Sequence, residues 1–277
     1  MMQVSFRLPG FQPVNELRML GIAIRSVALA LATIMPQLAC AELTNDALIG
    51  PGLRSRPSYD GSNSQRTELV PVVRYFGQPW FMRSTQGVLE GGIRTEIATG
   101  LHAGVQLAYE PGRESNESDF LKNHNVSDIN GGTSIGAHLE WDHKFGPVPI
   151  TLLARARQNT DSNLGYQADL RLSAGIFQSG AFSAGIFTQA TWASGKSARS
   201  FYAVSPQQSV VTGLPVFAAG SGWLFGSFGL LWSVDLNRSW VVVGSIESRH
   251  LHGDAARSPL TERTTNNYVS TGLAYRF

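Results

Sequence analysis

Two groups of side chains in this chain have the makings of a nucleophile and its base. Ser134, His138 and Glu140 fall on one face of an alternating segment, and His250, Asp254 and Ser258 gather before the last alternating segment. Acyl transfer needs a serine, a histidine within hydrogen-bond reach and a third group that orients the ring. Serine and histidine reach such spacings often by chance, and two of the three groups in the second set sit on an expected loop. The sequence therefore argues against an enzyme. The six histidines are dispersed, and His250-Leu251-His252 has no acidic or thiolate partner at ligand spacing, so no metal site is expected. Phosphate loops and dinucleotide fingerprints are absent, so no cofactor is implied.

The stronger chemical signal is ionic. Glu90, Arg94, Glu140, Arg155, Arg157, Asp169, Arg171, Glu247 and Arg249 all fall on the polar side of alternating segments, as do Glu96 and Asp142. Pairing 148–157 with 165–176 around Asp161 sets Arg155 opposite Asp169. If these positions face a lumen, two readings are open. The charges bind or pass a solute, or they fill the lumen as mutually neutralised pairs, because a charge in a narrow barrel must be paired. The second is favoured for a barrel of ten to twelve strands.

The elements that would carry these side chains are β-strands. In 89–97, 101–109, 135–143, 148–157, 166–176 and 182–192, apolar and polar residues alternate with period two, and helical period fails in each. Less regular strands occupy about 46–55, 67–76, 79–86, 221–235 and 239–251. The last strand places Val269, Thr271, Leu273, Tyr275 and Phe277 on one face. A long amphipathic strand ending on an exposed aromatic is a sticky edge in a soluble protein. In an outer-membrane barrel it closes against the first strand, and Tyr275 and Phe277 are the signal for barrel assembly.

Turn lengths sort into two alternating classes. Short turns lie at 77–78, 99–100, 145–147, 178–180 and 236–238. Longer polar stretches lie at 57–66, 111–131, 159–164, 195–220 and 252–265. That is the pattern of short periplasmic turns and long outer loops. Both ends of the barrel must lie in the periplasm. Twelve strands satisfy this if 79–97 is two strands with a tight outer turn near Thr85-Gln86-Gly87; ten remain possible if the first hairpin is not in the wall. The tryptophans fall into two groups, Trp80, Trp141, Trp232 and Trp240 near periplasmic turns and Trp192 and Trp223 near outer loops, as two aromatic girdles require. Trp223 and Trp232 have opposite parity on one strand, which demands a bulge or an inward ring.

The front of the chain reads as an export signal. Arg18 and Arg25 precede an apolar stretch, Val27 to Met35, too short to span a bilayer, and Ala39-Cys40-Ala41 is an A-x-A cleavage site. Residues 1–41 are expected to be the signal peptide, with Met19 a candidate true start. Gln37 stands where a lipobox wants leucine, which argues against lipidation at Cys40. Cleavage removes the chain's one cysteine, so the mature protein has no disulfide framework. Residues 1–41 hold three basic residues and one acidic, so 42–277 are balanced at nineteen of each. A neutral chain has no basic field for nucleic acid. Beyond residue 41 no apolar run is long enough for a helix to cross a membrane. A chain this polar enters a bilayer only as a closed barrel. The fold expected for 42–277 is thus all-β, a transmembrane antiparallel up-and-down β-barrel exported through the periplasm to the outer membrane, with membrane lipid as its surroundings.

Short islands along the mature chain resemble the MipA/OmpV family of outer-membrane proteins. Tyr59-Asp60-Gly61-Ser62 resembles its Y-x-G-S, and Tyr109-Glu110-Pro111-Gly112-Arg113 its strand end Y-x-x-G-R. Phe201-Tyr202-Ala203-Val204-Ser205, followed by Thr212-Gly213-Leu214, resembles Y-Y-G-V-S and S-G-L. Ser258-Pro259-Leu260 resembles S-P-L/I, and Gly272 to Phe277 resembles G-x-x-Y-x-F. Ala203 departs from the family's glycine, which bears on the backbone there because glycine alone readily takes positive φ. The resemblance implies a non-enzymatic scaffold in cell-wall remodelling, holding a murein lytic transglycosylase and a penicillin-binding protein. Other members are discussed as porins for antibiotics, so a channel for small solutes is the alternative. A scaffold for periplasmic enzymes would contact them through short periplasmic turns or its N-terminal segment, whereas the islands fall on the outer side, a tension the sequence does not resolve.

Overall fold

A computed structural model describes residues 47–277. The expected signal segment and its cleavage site lie outside the described residues. Period-two alternation is satisfied by twelve antiparallel strands: β1 (Leu48–Pro57), β2 (Gln65–Phe76), β3 (Trp80–Thr85), β4 (Val88–Ala98), β5 (Leu101–Glu110), β6 (Gly132–Phe145), β7 (Val148–Asn159), β8 (Tyr166–Ser179), β9 (Phe182–Ala193), β10 (Gly222–Asp235), β11 (Trp240–Leu251) and β12 (Thr265–Arg276). Each pairs with its sequence neighbours, and β12 closes on β1 in a single barrel. The closing register sets Leu48 opposite Arg276 and Ser55 opposite Val269. The first hairpin is therefore in the wall, and the count is twelve rather than ten.

The tight turn between β3 and β4 has a local cause. Gln86 and Gly87 have φ of 53° and 82°, the paired positive values of a two-residue hairpin turn whose twist matches the flanking strands. A β-carbon on Gly87 would also overlap the Arg54 guanidinium, so the turn and a lumen side chain fit only because that residue is glycine. On β10 the register against β9 shifts between Trp223 and Phe225. This bulge reverses the parity of the strand and lets both Trp223 and Trp232 face outward.

Connections at one end, 77–79, 99–100, 146–147, 180–181 and 236–239, run from two to four residues. β1 starts and β12 ends at that end, which makes it the periplasmic one. Three of the long polar outer connections carry short helices: a 3-10 turn at Ser115–Glu117, α1 (Asp119–Asn123), α2 (Gly195–Tyr202), α3 (Pro206–Thr212) and α4 (Gly253–Arg257). The signals for α3 are plain in retrospect. Ser205 and Gln208 make a reciprocal capping box, Pro206 opens the first turn, and Gly213 ends the helix at φ 70°.

Side chains then separate by parity. Ile93, Val105, Leu107, Ile135, Leu139, Leu170, Leu172, Phe228, Ile246, Val269 and Leu273 project from the outer wall, each more than two-fifths exposed. A soluble protein does not leave such a belt in water, whereas lipid covers it at no cost. Aromatic rings flank it. Trp141, His143 and Phe145 stack in a ladder near the periplasmic edge, and Tyr166 packs on Trp192 near the outer edge. Inside, the lumen is layered. Leu48, Val241 and Ala274, with Val72 and Val243, form an apolar layer towards the periplasm, with charged residues above it. The outer mouth is filled by the loop segments.

The wall gives a direct test. Leu139 sits in the middle of β6 on the lipid face. Leu139→Arg should destabilise the barrel by about 2–4 kcal/mol, the cost of a charge near the bilayer midplane. Reversible urea unfolding in phospholipid vesicles, followed by tryptophan fluorescence, measures it.

Candidate functional site

Arginine's planar fork matches a carboxylate on two sides at once, so facing Arg and Glu positions on neighbouring strands lock together. Glu90 on β4 is the hub. It accepts hydrogen bonds from Arg83 on β3, from Arg155 Nη1 on β7 at 2.7 Å and from Gln106 Nε2 on β5 at 3.1 Å. Arg155 also holds Asp169 on β8, with Nη2 3.0 Å from Oδ2. Arg157 lies 3.4 Å from Asp169 and 3.2 Å from Glu110. Glu140 on β6 accepts from Arg83 and, at 2.8 Å, from Arg94. The pairs thus cross the lumen from β3 to β8, and the expected Arg155–Asp169 register is present.

A second group sits under the outer mouth. Arg249 pairs with Asp60 at 2.8 Å and with Glu247 at 3.3 Å, and its guanidinium stacks 4.1 Å from the Phe225 ring and 4.4 Å from Tyr268. Tyr268 donates to Asp60. Glu68 serves three guanidiniums, those of Arg66, Arg56 and Arg54 at 2.6, 2.9 and 3.8 Å. Arg171 meets no carboxylate directly among the described residues. It donates to Ser173 and Gln189 and lies 3.8 Å over the Phe187 ring.

The lumen's charges do not balance. Among the described residues the buried arginines are eight, at 54, 56, 83, 113, 155, 157, 171 and 249. The buried carboxylates are four, Glu90, Glu140, Asp169 and Glu247. Half-buried Asp60, Glu68 and Glu110 reduce the excess without removing it.

The family-motif residues build the plug above. Gly61, at φ 104°, donates its N–H to Asn266 and accepts from the amides of Glu262 and Arg263. Tyr59 donates to the Leu260 carbonyl at 2.9 Å, and Ser62 lies 3.5 Å from Glu262. Ser258 donates to the Tyr202 carbonyl at 2.6 Å. Val204 bridges to Phe217 through paired backbone hydrogen bonds. Tyr59, Leu121, Val126, Val204 and Leu260 share one apolar cluster; Ala198, Tyr202, Leu224, Phe225, Leu251 and Ala255 share another, which ties α2 and α4 to the lumen face of β10 and β11. Segment 195–220 therefore folds over the barrel mouth. Ser205 and Gly213 cap α3, and Pro259 lies half-buried between Ser258 and Leu260. Ala203 has φ −85° and ψ 155°, an extended conformation that alanine adopts freely, so its departure from glycine strains nothing.

Neither serine–histidine set assembles. Ser134 donates to Glu110, His138 bonds Gln106 and packs against Phe81, and Glu140 is held by arginines. His250 meets Thr265, Asp254 accepts from Arg257, and Ser258 is committed to Tyr202. Glu96 and Asp142 stand exposed at the periplasmic rim, where they hold Gly100 and Thr151, rather than deep in the lumen. Tyr275 and Phe277 face outward on the closing strand, with Tyr275 against Trp240 at 5.3 Å. Alternation does not place Arg83, Arg54 and Arg56 in the lumen, and Arg113 enters from the sequence only as the end of a family motif. The first three lie on strands with weak alternation, and Arg113 lies in a loop.

Between the ion pairs and the plug is a cavity of about 180 Å³. Its wall includes Tyr59, Asp60 and Tyr202. Burial pushes the Tyr59 and Tyr202 hydroxyls well above the ordinary phenol range, with Glu262 adding to it at Tyr59 and Asp60 at Tyr202. Burial also works to raise the Asp60 carboxyl, but the Arg249 guanidinium and the Tyr268 hydroxyl outweigh it, and the group ends below the usual carboxylate range.

Residues 49–277 match the family model described as MltA-interacting protein MipA. Solved structures with similar folds include an outer-membrane channel from Pseudomonas putida F1, 11% identical with a TM-score of 0.49, covering 88% of this chain and 100% of that one. The porin NanC is 6% identical with a TM-score of 0.38, covering 83% and 100%. OmpT of Vibrio cholerae is 9% identical with a TM-score of 0.36, covering 76% and 65%. No curated protein shows a significant match to the sequence.

Two outcomes follow from this geometry. Arg155→Met should cost about 3–5 kcal/mol of unfolding free energy, since it leaves Glu90 and Asp169 buried without their partner, whereas Arg257→Ala, which breaks an exposed pair with Asp254, should cost about 1 kcal/mol or less. Urea titrations of both variants measure the difference. Because the Asp60 pKa is depressed on folding, its contribution is complete above the unfolded value near about 4 and is lost as pH falls through the folded value. Pepsin cleavage within 195–220 should therefore rise steeply only below about pH 4, and Asp60→Asn should show rapid cleavage already at pH 4 and above.

Proposed function

Because this chain belongs to the MltA-interacting protein MipA family, we propose that it is a non-enzymatic outer-membrane scaffold for murein-metabolising enzymes. The partner that the family name points to is a murein lytic transglycosylase; a penicillin-binding protein is the second enzyme such a scaffold would hold. The observation that carries the reading is the closed lumen. Arg83, Glu90, Arg155 and Asp169 link β3, β4, β7 and β8 across the interior, and the plug covers the mouth above them. A barrel filled this way offers surfaces rather than a passage.

The surface available to a periplasmic enzyme is the rim of five short turns, 77–79, 99–100, 146–147, 180–181 and 236–239. Arg238, Asp142, Glu96 and Asp235 put both signs of charge on that rim. Charge complementarity on such a rim sets orientation and association rate more than affinity.

The alternative is an outer-membrane channel for small solutes or antibiotics. The polar cavity under the plug favours it. One pair of measurements separates the two. Detergent-solubilised barrel should enrich lytic transglycosylase in a pull-down over an unrelated twelve-strand barrel, and Arg238→Glu should weaken the capture. In planar bilayers the same protein should show no large stable openings. Steady conductance with no enrichment would favour the channel.

A further inference from the structure

We propose that the cavity beneath the outer plug is a binding site for a small oxyanion, a compact solute that carries a carboxylate or phosphate group. This goes beyond scaffolding, which makes no use of the cavity.

The first argument is charge. Six arginines, Arg54, Arg56, Arg113, Arg155, Arg157 and Arg249, line the cavity, against two carboxylates, Asp60 and Glu110. Internal pairing takes up part of the excess. Arg155 spends its fork on Glu90 and Asp169, and Arg249 spends its own on Asp60 and Glu247. Arg54 and Arg56 share the carboxylate of Glu68 with Arg66, which also pairs with Glu117, and Arg113 has no carboxylate within ion-pair distance among the described residues. Guanidiniums do not lose their proton, so a neutral lumen cannot be reached by titration.

The second argument is unspent hydrogen-bonding capacity. Arg157 is buried, and its Nε has no hydrogen-bond partner among the described residues, while its Nη1 lies 3.2 Å from Glu110. Arg113 gives Nη1 to the Phe201 carbonyl at 2.8 Å, while its Nε finds no acceptor among the described residues. Gln86, at the tip of the β3–β4 turn, is in the same state at Nε2. Unpartnered donors on buried cations are costly, and a group with several acceptor oxygens in one plane or tetrahedron relieves them together. Carboxylate and phosphate have that geometry.

The third argument is shape. A space of about 180 Å³ exceeds what one or two waters need, since a water's share of liquid volume is about 30 Å³. Tyr59, Tyr202 and Phe225 give it aromatic walls on the plug side. The arginines hold the anionic end, and the rings pack against the body of the solute. A smaller cleft shares Arg157, Glu110 and Phe201 with the cavity and extends between Asn130 and Leu164 of the outer loops, so exchange occurs from the outer face.

The test uses the full barrel, purified and folded in detergent at low ionic strength, with inorganic phosphate, glucuronate and glucose as probes. Isothermal calorimetry should give saturable binding for at least one anion and none for glucose, with affinity falling as sodium chloride is raised. Saturation by phosphate alone assigns the site to the free anion; tighter binding of glucuronate assigns it to an acidic sugar. Arg157 is also tied to Asp169, and Arg56 gives Nε to Glu68 and Nη1 to the carbonyls of Pro57 and Ser58, so the variants to use are Arg113→Gln on the loop and Gln86→Asn at the tip of the β3–β4 turn. Each should weaken anion binding about tenfold or more, the loss of one charge-assisted hydrogen bond, while leaving the heat-modifiable gel shift of the folded barrel intact. No saturation by either anion, binding of glucose as strong as that of glucuronate, or unchanged affinity in both variants overturns the proposal. None of these results bears on transglycosylase capture, so the two readings fail separately.

Discussion

A bilayer offers the backbone no hydrogen-bond partners, and this constraint organises the whole molecule. A sheet can meet it only by having no edge, so β12 must return to β1, and the Leu48–Arg276 and Ser55–Val269 pairings make that closure. Closure sends alternate side chains to lipid and to lumen. The lipid side is solved cheaply by Leu, Ile, Val and aromatic rings. The lumen side is harder, because a barrel of twelve strands is wide enough to need filling and narrow enough to exclude much water.

This chain fills the space with arginine. Each guanidinium supplies volume along its stem and donors at its tip, so Arg83 and Arg155 act as cross-braces between strands that are not neighbours in the wall, and Arg249 ties β11 to the loop after β1. Hydrophobic side chains of like size would be as stable or more so, since desolvation of a buried pair consumes most of its attraction. The apolar layer at Leu48, Val241 and Ala274 shows that the same barrel accepts that solution at its periplasmic end. The charged layer above it is thus not an obligatory feature of the fold. Its surplus of cations over carboxylates at the outer end is harder still to explain as packing, because balanced pairs would fill the same volume at lower cost.

Alternation made the wall legible and left the interior half-read. Strand limits, the twelve-fold count and the turn at Gln86-Gly87 follow from period two and parity, both backbone properties. Alternation also gave the face of Glu90, Arg155 and Asp169, and strand register then set Arg155 against Asp169. It could not give contact between strands further apart. Ser134, His138 and Glu140 share a face, yet each is held by a different partner, because two-residue spacing places side chains some 7 Å apart along a strand. Arg54 and Arg56 went unseen because Gly50, Pro51 and Gly52 blur the alternation of β1. The loop helices went unseen because helices of five to eight residues are made by caps and tertiary packing, not by a long periodic stripe.

The motif islands now have a physical reading that needs no partner protein. Tyr59 reaches Leu260, Ser258 reaches Tyr202, Gly61 takes a conformation closed to other residues, and Ser205 and Gly213 bound α3. Together they tie segments some two hundred residues apart into one lid. Those residue types are therefore required for the plug to fold, whatever the protein does in the periplasm. This removes the tension between outer islands and a periplasmic scaffold, because the islands report the architecture of the mouth and are silent about the rim. It also shifts where specificity must lie. If an enzyme docks from below, its recognition resides in turns of two to four residues, which are free to vary without disturbing the plug. A lid that is tied on every side yet leaves an arginine-lined space beneath it constrains the outer end in turn: what enters there must be small, and the charge that receives it is positive.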